Sequence, residues 1–397
     1  MTELPRTAVP ARVGIVGALG AVAAMLCAFA LSLGTGPALI FLVLGGAVPM
    51  WLLEWRQLEK TQPPPAGPDV LLGLVVVVAL AGLSVWMQLT IGGGLGAAAG
   101  DILLPGIASA ALAFIVALLR PRWLGENIAA LGCVVRGFVR SRRLADGEMT
   151  LILGWVIKCF FLPLMLGWAL GWLTHAEAKV FDSSALAWFA VPLALMYAID
   201  TSFAAIGYMS TSRHLGAEIR SVDRTWLGWL SALVCYPPLS VWVLDAWLVY
   251  KHGADWTVWL AIGSLASYLW GGAILVLTAI YTWGTVAFGP RFSNLTHRGI
   301  VTHGPYRWGK HPAYLAKNLS WWLMWVPFLP VMGWGQALVH SLSLLCVNVI
   351  YYLRARTEER HLLHDAVYRQ YADWIAEHGL LARILRPVCW GRNRRQS

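Results

Sequence analysis

The residues best equipped for chemistry lie between Gly299 and Tyr371. A first cluster reads His303-Gly304-Pro305-Tyr306-Arg307 and then Lys310-His311-Pro312-Ala313-Tyr314. A second reads Arg354-Ala355-Arg356-Thr357-Glu358-Glu359, followed by Tyr368 and Tyr371. His303, Tyr306, Arg307, Lys310, His311 and Tyr314 offer hydrogen-bond donors and aromatic surface, while Arg354, Arg356, Glu358 and Glu359 add charge of both signs. Pro305 and Pro312 forbid a continuous helix, so the first cluster must expose backbone groups that a ligand could satisfy. The chemistry open to such a set is the binding and alignment of a charged ligand. Metal ligation is not indicated: the six cysteines show no CxxC spacing, and His361 with His364 lacks a further convergent ligand and reads as a surface pair.

The elements that must position these clusters are helices in a bilayer. The chain is 58% hydrophobic and only 13% charged, which excludes an ordinary soluble domain. Roughly 20 apolar residues cross the hydrocarbon core, and ten such spans are expected near 13–33, 37–53, 70–89, 102–119, 150–173, 185–207, 227–249, 257–281, 316–332 and 335–353. The expected fold class is therefore all-α, a polytopic integral membrane protein with a C-terminal catalytic region on the cytoplasmic side. With a cytoplasmic N-terminus, ten crossings put 26 of the 30 Lys and Arg residues on inner segments, the bias that orients helices during insertion. Both termini are then cytoplasmic. The net charge of +10 is an orientation signal and an attraction to anionic headgroups; spread over every inner loop, it does not suggest nucleic acid. Arg outnumbers Lys 24 to 6, which points to a GC-rich bacterial genome and an inner membrane.

Two regions are expected, residues 1–145 with four helices and 146–397 with six helices and the polar clusters. The basic stretch 120–149 joins them as an interfacial amphipathic helix, with Ile128, Leu131, Val135, Phe138 and Val139 on its apolar face. From Arg354 to Leu385 a helix with one apolar face is expected. The short hairpin 316–353 should return the Arg–Glu cluster to the side it left and bring the two clusters together.

The order THGxYRxxxHPxY followed by RxRTEE resembles the isoprenylcysteine carboxyl methyltransferase family, which belongs with the membrane phospholipid methyltransferases. That resemblance covers about the last hundred residues and implies an enzyme that uses S-adenosylmethionine. Carried over by position, it implicates His303, Gly304, Tyr306, Lys310, His311, Pro312, Tyr314, Arg354, Glu358 and Glu359 in cofactor binding, with Arg354, Glu358 and Tyr314 nearest the reaction. Three departures stand out. Lys310 replaces the usual arginine, losing bidentate geometry; Ala316 stands where glycine is common; and the Phe-Gly before the last tyrosines is absent. Methyl transfer from a sulfonium leaves the protein mainly to bind, align and exclude water, which agrees with the missing metal spacing.

On the acceptor side, Asp200, Tyr236 and Asp245 are the candidates, with Tyr236-Pro237-Pro238 expected to kink the seventh span. Charged residues within spans, Lys158 and Lys317 included, normally face protein or a water-filled cavity. The expected acceptor is a lipid or lipidated small molecule that enters from the bilayer, methylated on a carboxylate first and on a phospholipid amine second. A reductase resembling the NADPH-dependent sterol reductases is the alternative enzyme class. A transporter is disfavoured by the lack of inverted repeats. The Asn294-Leu295-Thr296 sequon falls on the inner side and is discounted.

Overall fold

The computed structural model describes residues 3–56, 67–90, 126–181, 185–380 and 382–384. It is nearly all-α: α1 (Ala11–Ala30), α2 (Thr35–Glu54), α3 (Gly67–Thr90), α4 (Glu126–Ser141), α5 (Asp146–Phe181), α6 (Ala187–Met209), α7 (Trp226–Leu233), α8 (Leu265–Phe288), α9 (Pro312–Trp325), α10 (Trp334–Leu362) and α11 (Ala366–His378). A two-residue antiparallel pair, Ser221–Val222 with Thr296–His297, ties the loop after α6 to the loop after α8.

Seven described helices are long and apolar enough to cross a membrane: α1, α2, α3, α5, α6, α8 and α10. Seven of the ten expected spans correspond to these helices. The span at 102–119 lies outside the described residues. The span at 227–249 is instead broken: α7 has only eight residues, turns follow at 234–238, and a π-helical stretch, Ser240–Asp245, and short helical turns at Val249–Lys251 and Trp256–Trp259 precede Ser264. The span at 257–281 begins later, at Leu265, where Ser264 caps α8 by accepting the Ser267 amide at 3.2 Å. The ninth, α9, has 14 residues, about 21 Å of helix against a hydrocarbon core of about 30 Å, too short to span it alone. It ends at Val326 in the left-handed region, just before Pro327. In the spans at 227–249 and 316–332 apolar composition suggests a crossing, whereas proline sets a shorter helix; the span at 257–281 stands, with its start moved to the Ser264 cap.

Helix α4 is helical as expected, yet part of its apolar face is covered by α3. A Cβ on Gly73 would strike the Ile128 carbonyl, and one on Gly132 the Asp69 carbonyl. Arg136 pairs with Asp69 at 3.0 Å along the same seam. Phe138 and Val139 remain exposed. Side chains from the helices before and after the link between α4 and α5 pack together. Val13, Leu42 and Met50 share one core with Leu173, Phe203, Ile206 and Val286.

The tail is two helices rather than one. Helix α10 carries Arg354 to Leu362, and Asp365 then caps α11, accepting the Val367 amide at 2.7 Å and the Tyr368 amide at 3.3 Å. Tyr368, Tyr371, Trp374 and Ile375 of α11 pack on Ile300, Val301 and Tyr306. The N-terminal segment lies on the same side: the Ala8 amide reaches the Ile300 carbonyl at 2.8 Å, and Gln370 reaches the Glu3 carbonyl at 2.9 Å.

Candidate active site

The loop between α8 and α9 is held open by local chemistry. Gly304 takes φ +60°, and a Cβ there would press on the Trp283 ring. Pro305 is the second residue of a short 3₁₀ turn, Gly304–Arg307, and Pro312 occupies the first turn of α9, where a missing N–H costs nothing. The Tyr371 hydroxyl donates to the Tyr306 carbonyl at 2.7 Å and to the Gly309 carbonyl at 3.2 Å. Thus α11 grips the first cluster from outside. Burial raises the Tyr306 phenol well above its usual range, so it stays neutral, as does Tyr371 for the same reason.

The hairpin brings both clusters together as expected. Lys310 reaches Glu359 at 2.7 Å, His311 reaches Glu359 at 3.1 Å, and the Tyr314 hydroxyl donates to Glu358 at 3.0 Å. The His311 ring stacks on Tyr314 with centroids 5.5 Å apart. Deeper in the hairpin, Asn348 donates to Asn318 at 2.6 Å and accepts from Trp322 at 2.7 Å. Such bonds between helices in a bilayer contribute about 0.6 to 2 kcal/mol each, enough to fix the hairpin's register. Gly284 supplies the third contact, letting α8 approach Ala313 of α9.

A cavity of about 160 Å³ opens between these elements, room for several waters or a ligand group. Tyr306, Lys310, His311, Tyr314, Arg354, Glu358 and Tyr236 line it. Among the other expected residues, Glu359 stands behind Lys310 and His311, and His303, Gly304 and Pro312 shape the loop without lining the cavity. The His303 Nε2 is buried without a hydrogen-bond partner, and burial lowers the ring's pKa. Asp200 sits one layer back, accepting the hydroxyls of Tyr281 and Thr285, which do line the cavity. Asp245 is elsewhere, half-exposed and paired with Lys251 at 3.0 Å.

At the waist of the cavity, Arg354 is buried and donates to the Asn294 side-chain oxygen at 2.5 Å and weakly to the Tyr236 hydroxyl at 3.4 Å. Its guanidinium lies over the Tyr314 ring at 5.2 Å and the Tyr236 ring at 5.5 Å. Among the described residues it has no carboxylate partner. Asn294 is the pivot, also donating to Tyr208 at 2.9 Å and Tyr236 at 3.3 Å. The sequence reading missed it, although a polar residue so close to the bilayer was a usable signal. His361 also departs from the expected surface position: it lines the cavity and bonds Ser221 at 3.1 Å. Lys317, Tyr281, Thr285 and Tyr351 complete the deep end.

The donor set suits S-adenosylmethionine. Arg354 can receive a carboxylate, and Glu358 and the tyrosine rings can face a sulfonium or an amine. Neither the curated proteins nor the solved structures give a match. Residues 265–364 match the model of the isoprenylcysteine carboxyl methyltransferase (ICMT) family. The match supports the methyltransferase reading of the sequence and lends nothing to the reductase or transporter readings. It takes in α8, the loop, the hairpin and both charged clusters, so this part of a chain with seven described helices able to cross a membrane resembles the isoprenylcysteine carboxyl methyltransferase family.

Proposed function

We propose that this chain transfers a methyl group from S-adenosylmethionine to the carboxylate of a lipidic or amphiphilic acceptor. The carrying observation is Arg354, buried at the waist of the cavity without a carboxylate partner among the described residues. A buried guanidinium so placed favours an anionic ligand group strongly. When bound, S-adenosylmethionine supplies an electrophilic methyl, which an acceptor oxygen takes by direct displacement while the bonding pair returns to sulfur. Arg354, Tyr314 and Glu358 hold the reacting groups in line, and Lys310, His311 and Glu359 brace the mouth. Glu358 presents negative charge toward the sulfonium. Tyr306 and Tyr371 keep the loop closed against water.

The broken stretch from α7 to α8 is compatible with sideways entry of the acceptor, because irregular backbone at membrane depth is tolerated where it is buried or lines a cavity. Tyr236 comes from this stretch and Asp200 stands behind the same wall; both are proposed to serve the acceptor. The shared side of the N-terminal segment, the loop and α11 fits termini that face the cytoplasm of a bacterial inner membrane. The test is transfer itself: full-length protein in nanodiscs, given S-adenosylmethionine labelled on the methyl and an acidic amphiphile. Label in an alkali-labile ester is expected; label in an alkali-stable amine product would replace the carboxylate by an amine.

A further inference from the structure

One cation of the cavity is not used by the reaction as outlined above. Lys317 lies on α9 two turns past His311, about 9 Å deeper along the helix axis, and it lines the cavity. A lysine at membrane depth normally extends toward the headgroups. Lys317 instead turns inward, its ammonium over the rings of Tyr281 on α8 at 4.9 Å, Trp321 at 5.2 Å and Tyr351 on α10 at 5.7 Å.

The contrast with Lys310, seven residues earlier, is chemical. Lys310 has Glu359 at 2.7 Å. The Lys317 ammonium makes these ring contacts and interacts electrostatically with Asp200 first, then with Cys235, Arg354 and Lys251, and among the described residues it has no salt bridge to a carboxylate. Asp200 is already committed to Tyr281 and Thr285. It balances the lysine's charge from behind the wall but leaves its donors free. Rings attract a cation yet cannot take all three N–H groups in line, so an oxygen-bearing ligand is the missing partner. Arg354 stands nearby in the same cavity, and two cations there repel a protonated amine and favour an oxyanion.

We propose that Lys317, boxed by Tyr281, Trp321 and Tyr351, is the acceptor-side anion subsite that restricts this enzyme to amphiphiles carrying an oxyanion. The inference rests on the methyltransferase reading and adds the residue that selects its acceptor. A carboxylate head and a phospholipid phosphate share the required chemistry, and the experiment separates them.

Full-length protein in phosphatidylcholine nanodiscs is titrated calorimetrically with N-oleoylglycine, with its methyl ester and, separately, with S-adenosylmethionine. Wild type should bind the acid at least about tenfold more tightly than the uncharged ester, the range of one charge-assisted hydrogen bond. Lys317→Met should remove that preference and Lys317→Arg should keep it, with affinity for S-adenosylmethionine equal in all three. Repeating the titration in phosphatidylglycerol nanodiscs identifies the source: competition that disappears in Lys317→Met assigns a lipid phosphate to the subsite and overturns its role for the acceptor. If removing the lysine unfolds the protein, the double variant Lys317→Gln with Asp200→Asn keeps the local charge balanced and should also lack the preference. An acid preference that survives in Lys317→Met, with S-adenosylmethionine still bound, overturns the inference alone. Failure of wild type to bind S-adenosylmethionine would instead remove the methyltransferase reading.

Discussion

The mouth and the interior of the cavity handle charge in opposite ways. At the mouth, Lys310 and His311 both reach Glu359, and Arg356 adds a longer contact at 3.5 Å. In the interior, Arg354 and Lys317 rest on aromatic rings and on Asn294, without a bonded carboxylate among the described residues. A paired cluster is complete in itself and holds the loop to the hairpin. An unpaired buried cation is a debt that a ligand discharges. The mouth is therefore mainly architecture and the interior mainly recognition, although the residues look alike in the sequence.

The sharpest way to break this comparison is to exchange the two kinds of residue. Arg354→Met should cost about one to two decades of kcat/KM, the value of a charge-assisted bond to ligand, with little change in melting temperature. Glu359→Gln should do the reverse, leaving Lys310 and His311 short of a partner and lowering stability by about 1 to 3 kcal/mol. Thermal melts alongside steady-state kinetics read both. A large melting loss in Arg354→Met with a silent Glu359→Gln would invert the assignment.

The loop offers a smaller effect. Gly304→Ala forces a side chain into a left-handed conformation against Trp283, for about 1 to 2 kcal/mol, and should weaken cofactor affinity along with stability. An alanine variant that melts and binds as wild type would show that the loop can be rebuilt.

The pH response is gentler still. Burial lowers the pKa of His303 and, despite Asp365 nearby, of His297. Their folded forms hold fewer protons than the unfolded chain below the ordinary value of about 6.5. Stability should be full above that pH and fall as the pH drops through it. Melting temperatures from pH 8 to 5 should decline, and the decline should shrink in His297→Gln.

Least of all should follow from Asp245→Asn, since that residue pairs with exposed Lys251 away from the cavity; a surface change of this kind stays within about 0.5 kcal/mol. Tyr236→Phe should by contrast raise the acceptor's KM while sparing S-adenosylmethionine. Equal effects of the two would remove Tyr236 from the acceptor route.

Much of the mouth was legible in the sequence because its residues are close in the chain and a single hairpin joins them. His311, Tyr314, Glu358 and Glu359 meet as that hairpin requires. The interior was less legible because its polar residues come from separate elements: Tyr281 and Thr285 from α8, Asn294 from the loop after it, Lys317 from α9 and Arg354 from α10, with Asp200 of α6 behind them. Hydropathy marks Lys317 and Asp200 as unusual but gives no sign that they share a wall. Nor could it separate a crossing helix from the broken stretch after α7, since Trp, Leu and Val serve equally on lipid and on a buried turn. Asn294 was hidden by a sequon that drew the eye to glycosylation.

The central claim is that this cavity is built around S-adenosylmethionine. Calorimetric titration of the purified full-length protein with that compound tests it most directly, with Arg354→Met and Glu358→Gln as companions. Saturable binding to wild type is expected, weakened by about tenfold or more in each variant that keeps its melting temperature. Absence of binding to folded wild type, or unchanged affinity in both variants, would contradict the account.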